Sequence, residues 1–148
     1  MGQELSYEYI RGLTEGEGCF SFCTIGWSSK PKIKIPTFVI GMSRRDKELL
    51  LKVKEALKLR NKVYEYGPRI RKDGYKRNGT AILIIRDIGQ LKNIIVPLFY
   101  KKLRGNKAKQ FSEWLEKIGS DPDVPRSYKF IYKIYKAGFY DKNPKYID

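Results

Sequence analysis

Two carboxylates among closely spaced glycines are the residues of this sequence best placed to do chemistry. Gly12 and Gly16 are four residues apart, and Glu15 and Glu17 flank Gly16 at the end of the same stretch. Glycine inside a helix costs about 1 kcal/mol relative to alanine, so two on one helical face indicate close approach of another backbone. Gly18 would end the helix and leave Glu17 at its C-terminal end, where the helix dipole disfavours a carboxylate without a nearby cation. A surface acid followed by a glycine stop is the alternative.

The composition restricts which chemistry these acids can support. The 148-residue chain contains no histidine, so histidine-based triads are excluded, and hydrolysis would depend on carboxylates, lysines and a metal ion. The net charge of +15 is typical of proteins that bind a polyanion, most simply nucleic acid; a basic protein without such a partner is the alternative.

Other features of the sequence limit the compartment. No apolar run is long enough to span a membrane, and the first residues do not resemble a signal peptide, so no membrane partner is expected. Cys19 and Cys23 would lie too far apart along a strand for a disulfide, and there is no third ligand for zinc. We therefore expect an intracellular, reducing compartment, either a prokaryotic cytoplasm or an organelle.

Hydrophobic periodicity predicts the elements that must position these residues. Strands are predicted over 19–27, 32–40, 62–71 and 80–87, and helices before Gly18 and over 43–59, 88–96, 107–118 and 126–139. Asn106 is the expected N-cap of the helix after it, Pro97 should stop the helix before it, and the tail from Asp141 should fray.

This order of elements predicts an α+β fold. It corresponds to an αββαββα core, with one four-stranded antiparallel sheet, helices on one face of it and extra C-terminal helices. We expect a single domain over residues 1–148, with the core at about 4–118 and a helical extension at about 120–148.

The free face of the sheet is the predicted nucleic-acid surface, because strands can enter the major groove of DNA. The face assignment of the second strand is ambiguous, because regular alternation would put Lys32 and Lys34 on the same face as Phe38. A bulge at Pro36 would place both lysines on the free face instead. The polar and charged residues assigned to this face are Ser21, Cys23, Lys32, Lys34, Thr37, Arg69, Arg71, Thr80 and Arg86.

The stretch from Ile10 to Gly18 resembles the nine-residue motif of the LAGLIDADG homing endonucleases. The glycines at 12, 16 and 18 and the acids at 15 and 17 match that motif, and the predicted order of elements matches over about residues 4–118. The resemblance implies a saddle-shaped sheet and a site-specific endonuclease that hydrolyses double-stranded DNA at a long, near-palindromic target. The resemblance also implies that the protein is intron-encoded and that DNA cleavage requires a divalent cation.

The resemblance also implies roles for individual residues. Glu17 and the carbonyl of Gly16 would bind Mg²⁺, or another divalent cation such as Mn²⁺. Lys107 would orient water or stabilise charge at the scissile phosphate, with contact to phosphate or solvent as the alternative. No second copy of the motif is found, so a homodimer is implied. The residues expected at its interface are Tyr9, Gly12, Leu13 and Gly16.

Base reading would involve the hairpin between the last two strands. Arg69 and Arg71 flank Ile70, and arginine reads guanine bidentately; phosphate contact is the alternative for each. Trp27 would contact DNA or pack in the core. The cations of the hairpin loop, expected to touch phosphates, are Lys72, Lys76 and Arg77.

Met42 departs from the family pattern. It stands where the family often has a glutamine near the attacking water, and methionine cannot orient water by a strong hydrogen bond. Arg44, Arg45 or Lys47 would substitute. A non-cleaving DNA-binding protein is therefore one alternative function on this fold, and an RNA-binding maturase with intron RNA as its partner is another; Glu17 favours cleavage over both.

Overall fold

Helices and strands follow one another along the chain in nearly the predicted order. The computed structural model describes residues 4–26, 32–67, 69–70, 76–77 and 79–148, and only the backbone at 69–70 and 76–77. The strands are β1 (Gly18–Ile25), β2 (Ile33–Ser43), β3 (Val63–Tyr66), β4 (Arg69–Ile70), β5 (Lys76–Arg77) and β6 (Thr80–Ile85). The helices are α1 (Tyr7–Glu17), α2 (Lys47–Leu57), α3 (Ile88–Gln90), α4 (Val96–Phe99), α5 (Asn106–Ser120), α6 (Arg126–Lys136) and α7 (Phe139–Lys142). No helix of these ranges is long and apolar enough to cross a membrane.

The four main strands form one antiparallel sheet in the order β1-β2-β6-β3. Strands β4 and β5 pair with each other in the register of β3 and β6, so they extend that hairpin. One face of the sheet packs against the helices, and its side chains join a core that also includes residues of α5 and α6. The buried residues of this face are Phe20, Phe38, Ile40, Ala81, Leu83 and Ile85. The predicted α+β architecture, with an antiparallel four-stranded sheet and C-terminal helices, is confirmed.

The opposite face of the sheet, here called the open face, carries the alternate residues of each strand. The register of the strands defines its members. They are Cys19, Ser21, Cys23 and Ile25 on β1, Ile33, Ile35, Thr37, Val39, Gly41 and Ser43 on β2, Tyr64 and Tyr66 on β3, and Thr80, Ile82 and Ile84 on β6, continued by Arg86.

The bulge expected at Pro36 is absent from the described part of the sheet. The pairing of β1 with β2 is continuous through Phe22↔Pro36, so Lys34 lies on the helical side with Phe38. The ladder from β2 to β6 begins only at Phe38↔Ile85. Pro36 therefore lies where β2 has one neighbour, and its missing N–H leaves no partner strand unsatisfied.

The helix after β6 continues beyond Pro97 rather than stopping before it. Asp87 caps its first turn, because the Asp87 carboxylate accepts a hydrogen bond from Gln90 N at 3.0 Å. A π-helical segment, Leu91–Ile95, then leads directly into α4. Pro97 removes an amide donor from this helix, and widening the turn accommodates the ring. Side chains of the C-terminal segment reach two carbonyls here, since Tyr140 Oη donates to Lys92 O and Lys145 Nζ donates to Asn93 O.

The tyrosine-rich helix α6 packs against α5. A Cβ placed on Gly119 would lie 2.4 Å from Tyr132 Cγ, so only glycine permits this approach of the two helices. Lys129 Nζ donates to three carbonyls at the end of α5, those of Ile118, Gly119 and Asp121. Gly119 therefore lies inside α5 and does not stop it.

Candidate active site

Helix α1 presents Glu17 at the junction between the helix and the sheet. Ser6 caps the start of α1, with its Oγ accepting from Tyr9 N at 3.0 Å, and Ile10 and Thr14 are fully buried against the core. Gly18 begins β1, and a Cβ there would lie 2.5 Å from Thr14 Cγ2, so the chain turns from helix to strand only with glycine. Glu17 is exposed and makes no ion pair or side-chain hydrogen bond with any described residue.

The outer side of α1 is not covered by any part of the chain that the structure describes. Tyr9, Gly12, Leu13 and Gly16 recur at helical spacing on this side. Tyr9 is 49% exposed, whereas Leu13 is half-buried and packs partly against the core. A Cβ added at Gly12 or at Gly16 would meet no heavy atom within 4 Å. The outer stripe of α1 therefore contains two glycines, Gly12 and Gly16, that no contact within the described chain requires.

Glu15 connects α1 to the start of α5. Its carboxylate accepts hydrogen bonds from the backbone N–H groups of Gly105 at 2.7 Å and Arg104 at 3.0 Å. The N-terminal end of a helix has unpaired N–H groups and a positive dipole, and both favour a carboxylate at that place. Asn106 was expected to cap α5, but it is the first helical residue, and Glu15 performs the capping from another helix.

Lys107 is brought to the same corner of the molecule as Glu17. It is the second residue of α5, and the capping by Glu15 holds the start of α5 beside the end of α1. One turn further along, Gln110 Oε1 accepts from Phe20 N at 3.4 Å, three residues beyond Glu17. Lys107 is half-buried, whereas Lys109 points to Glu113 at 3.9 Å. The structure thus places the predicted acid and the predicted lysine on two helix ends that are bonded to each other.

Loss of the Glu15 cap should loosen this corner. We expect Glu15→Ala to lower the free energy of unfolding by about 1–3 kcal/mol, because two charge-assisted hydrogen bonds at a helix N-terminus are lost. Urea denaturation measures the change. Glu55→Ala, which removes an exposed acid from α2, is the matched control and should change stability little. A loss for Glu15→Ala no larger than that of the control would contradict the capping role.

The available donors fit a hard cation that keeps most of its water. No group of three or more Cys, Asp or Glu residues able to enclose a metal occurs among the residues that the structure describes. Glu17 can supply one carboxylate, and Gly16 a carbonyl beside it. Mg²⁺ is commonly bound through only one or two carboxylates, so a pair of Glu17 side chains would meet its requirement.

The N-terminal end of α1 is fixed by the C-terminal tail. The Asp148 carboxylate accepts from Tyr7 N at 2.8 Å and from Glu8 N at 2.7 Å, and these hydrogen bonds hold the pKa of Asp148 below its usual range. Arg11, only 4% exposed, donates to Tyr146 O at 2.6 Å and to Leu98 O at 2.7 Å. The expectation that the tail frays is therefore wrong, because its polar groups bond to the first turn of α1.

The open face contains part of the predicted DNA-contacting set. Ser21, Cys23, Thr80 and Arg86 lie on it, and Arg86 reaches across β2 to Cys23, with Nη1 3.4 Å from Sγ. Thr37 also lies on this face, but it is 4% exposed and its hydroxyl donates to Ile35 O, so it has no free surface for DNA.

The two lysines of the second strand do not belong to the open face. Lys34 Nζ donates to Asp121 Oδ2 at 2.9 Å on the helical side, and this hydrogen bond raises the pKa of Lys34. Lys32 is exposed before the start of β2 and has the parity of Lys34. Assigning them to the open face was wrong, because the register through Pro36 is not shifted.

Some of the predicted contacts fall in parts of the chain whose side chains are not described. Trp27, Arg71 and Lys72 lie outside the described residues altogether. For Arg69, Lys76 and Arg77 the structure gives only the backbone of the hairpin β4–β5.

Sequence reasoning missed Tyr64 and Tyr66, which are 49% and 41% exposed on the open face. Their alternation with Val63 and Glu65 was the signal that could have identified them.

Met42 packs against the core on the helical side of β2, opposite Ala81. Its hydrophobic character is therefore explained by packing. Arg44 and Arg45 follow it as exposed residues, while Lys47 forms an ion pair with Glu65 at 3.0 Å.

Comparison with known proteins identifies the fold family. The family model described as LAGLIDADG endonuclease matches residues 10–118. No curated protein matches the chain in sequence. Among solved structures, the I-LtrWI LAGLIDADG homing endonuclease bound to target DNA is 23% identical, with a TM-score of 0.59 over 93% of this chain and 39% of that one.

Two further structures show the same likeness of fold. The meganuclease I-SmaMI bound to DNA is 21% identical, with a TM-score of 0.63 over 81% of this chain and 39% of that one. The group I intron-encoded homing endonuclease I-CeuI complexed with DNA is 15% identical, with a TM-score of 0.58 over 95% of this chain and 61% of that one. The chain thus spans between 39% and 61% of the length of these three proteins. With the family model matched over most of its length, the chain belongs to the LAGLIDADG endonuclease family.

Proposed function

We propose that this protein is a site-specific endonuclease that cleaves double-stranded DNA as a homodimer and uses divalent metal bound by Glu17. The observation that carries the proposal is the end of α1, where an exposed carboxylate with no partner among the described residues adjoins two glycines, Gly12 and Gly16, that the described chain leaves uncovered. A surface acid alone would not need glycines behind it, since alanine is the better helix former and would meet no atom at either position.

Packing of two copies of α1 explains both features together. Gly12 and Gly16 allow the two helix backbones to approach closely, and Tyr9 and Leu13 supply the apolar contact around them. A two-fold axis makes such an interface self-complementary and brings the two Glu17 residues to the same place. Asp148 caps the first turn of α1, and Glu15 bonds the last turn of α1 to the start of α5, so each α1 is held at both ends and the carboxylates would be well positioned.

The side chains at this corner fit phosphodiester hydrolysis. A divalent cation there would activate a water molecule and stabilise the leaving oxygen. Glu17 and the Gly16 carbonyl are the ligands available, and Lys107 lies on the neighbouring helix end to interact with the phosphate.

The open face of the sheet completes the proposed DNA site on a strongly basic chain. The net charge of +15 favours duplex DNA, and three solved relatives in fold are described as DNA complexes. Each copy would contact one half of a long, near-palindromic target. The open-face residues Ser21, Cys23, Thr80 and Arg86 are proposed contacts, as are the undescribed side chains of Trp27, Arg69, Arg71, Lys72, Lys76 and Arg77.

The test is a cleavage assay on a DNA duplex that spans the insertion junction of the host gene and does not contain the intron. Wild-type protein should cut this duplex at one position with Mg²⁺ or Mn²⁺ and not in the presence of a chelator. Tight DNA binding without any cutting would overturn the endonuclease and support a non-cleaving DNA-binding protein. Tight binding of the flanking intron transcript, with no cutting of DNA, would instead support the maturase.

A further inference from the structure

The open face is largely apolar where it is most exposed. Ile25 and Ile33 are directly opposite each other at one end of the β1–β2 hairpin and are 50% and 41% exposed. Tyr64 lies opposite Ile82 at the other side of the sheet and is 49% exposed. The chain described by the structure leaves Ile25, Ile33 and Tyr64 exposed and Ile82 half-buried, although it buries more than twenty other apolar side chains in its core.

The same face is poor in groups that read bases by hydrogen bonds. Among its described residues there is no asparagine or glutamine to recognise adenine, no carboxylate to accept from cytosine, and no lysine. Arg86 is its one described cation, and the guanidinium is in contact with Cys23 Sγ. Hydroxyl groups remain, but they discriminate bases weakly because they both donate and accept.

Apart from Arg86, the described cations next to this apolar surface lie beyond the two ends of β2. Lys32 is exposed immediately before Ile33, and Arg44 and Arg45 are exposed immediately after the other end of β2. Positive charge at both ends of an apolar strip matches the major groove, in which phosphates flank the base edges. A protein partner would not require that arrangement.

We propose that the open face recognises thymine methyl groups, so that each half of the DNA target is rich in thymine where β1, β2, β3 and β6 contact it. This inference rests on the proposed function and specifies its substrate. The C5-methyl group of thymine is the one apolar feature of the major groove, and it distinguishes all A·T orientations from G·C. The pairs Ile25–Ile33 and Tyr64–Ile82 are the principal contacts.

The first experiment selects bound duplexes from a pool of random sequence, with the full chain in a chelating buffer that prevents cutting. Bound sequences should be enriched in thymine at several adjacent positions. A pool made by amplification contains no 5-methylcytosine, so thymine is the only source of the methyl group. Enrichment of G·C-rich sequences would overturn the inference while leaving DNA binding intact; the failure of any duplex to be enriched would overturn the proposed function as well.

The second experiment removes the methyl group alone. Deoxyuridine replaces thymidine at the enriched positions, which preserves base pairing and all hydrogen bonds. Each contacted methyl should contribute about three- to fivefold to affinity, in line with the burial of one carbon group. Ile25→Ser and Ile33→Ser should reduce this discrimination. Phe130→Ser, at a 50% exposed position on α6 away from the open face, is the matched control and should preserve it. Equal binding of both duplexes by wild type would contradict methyl recognition.

Discussion

Glu17→Gln should abolish DNA cleavage, lowering the single-turnover rate by at least about 1,000-fold while changing DNA affinity less than about threefold. Glutamine keeps the shape of the side chain but not the charge that a divalent cation requires, so metal-assisted hydrolysis is lost. Folding should be unaffected, because Glu17 is exposed and makes no described ion pair. Cleavage of a labelled duplex and a parallel binding titration measure the two effects separately.

A control substitution on α2 distinguishes the loss of a metal ligand from the loss of one negative charge. Glu55→Gln makes the same chemical change at another exposed helical position and should cut at the wild-type rate. If the wild type cuts the duplex and Glu17→Gln cuts it at a similar rate, Glu17 is not the metal ligand.

Gly12→Leu should convert the protein to a monomer without unfolding it. Because nothing lies within 4 Å of a Cβ at this position, the isolated chain has room for the larger side chain. Leucine is also the better helix former by about 1 kcal/mol, so the thermal midpoint of the monomer should not fall. Between two α1 helices, however, the added side chain would separate the backbones, and we expect dimerisation to weaken at least about 100-fold.

Sedimentation velocity over a range of concentrations measures this change, and thermal unfolding shows whether the fold survives. Ser112→Leu adds the same side chain at an exposed position of α5 and should remain a dimer. A dimeric Gly12→Leu protein would show that the stripe of small residues is not the interface. A monomeric wild type would reject the homodimer itself.

The sequence was most informative where structure depends on neighbouring residues. Alternation along 18–25 and 80–85 identified the buried and open faces of β1 and β6 correctly, because period two is a local property of a strand. The spacing of the glycines and glutamates located the end of α1, because the signals that end a helix are also local in sequence. The buried stripe Leu50, Val53 and Leu57 of α2 was likewise visible as a helical period.

Contacts between distant segments decided the rest. Lys34 faces the helices because Asp121, 87 residues later, lies beside it, and alternation within β2 could not reveal that partner. The cap of α5 comes from Glu15, 90 residues before Gly105, so the local preference of Asn106 for caps was misleading. Pro97 continues its helix because a π-helical segment precedes it and tail side chains reach the carbonyls of Lys92 and Asn93.

The hydrogen bonds from Tyr7 and Glu8 to Asp148 also affect the order of events during synthesis. They join residues 141 and 140 positions apart, so the first turn of α1 receives them only after Asp148 has been synthesised. Contacts of such long range form late in folding, since the intervening chain must first be ordered. The helix with the proposed self-association stripe therefore receives these contacts late, so any association that needs a fixed α1 would follow the folding of the domain that carries it.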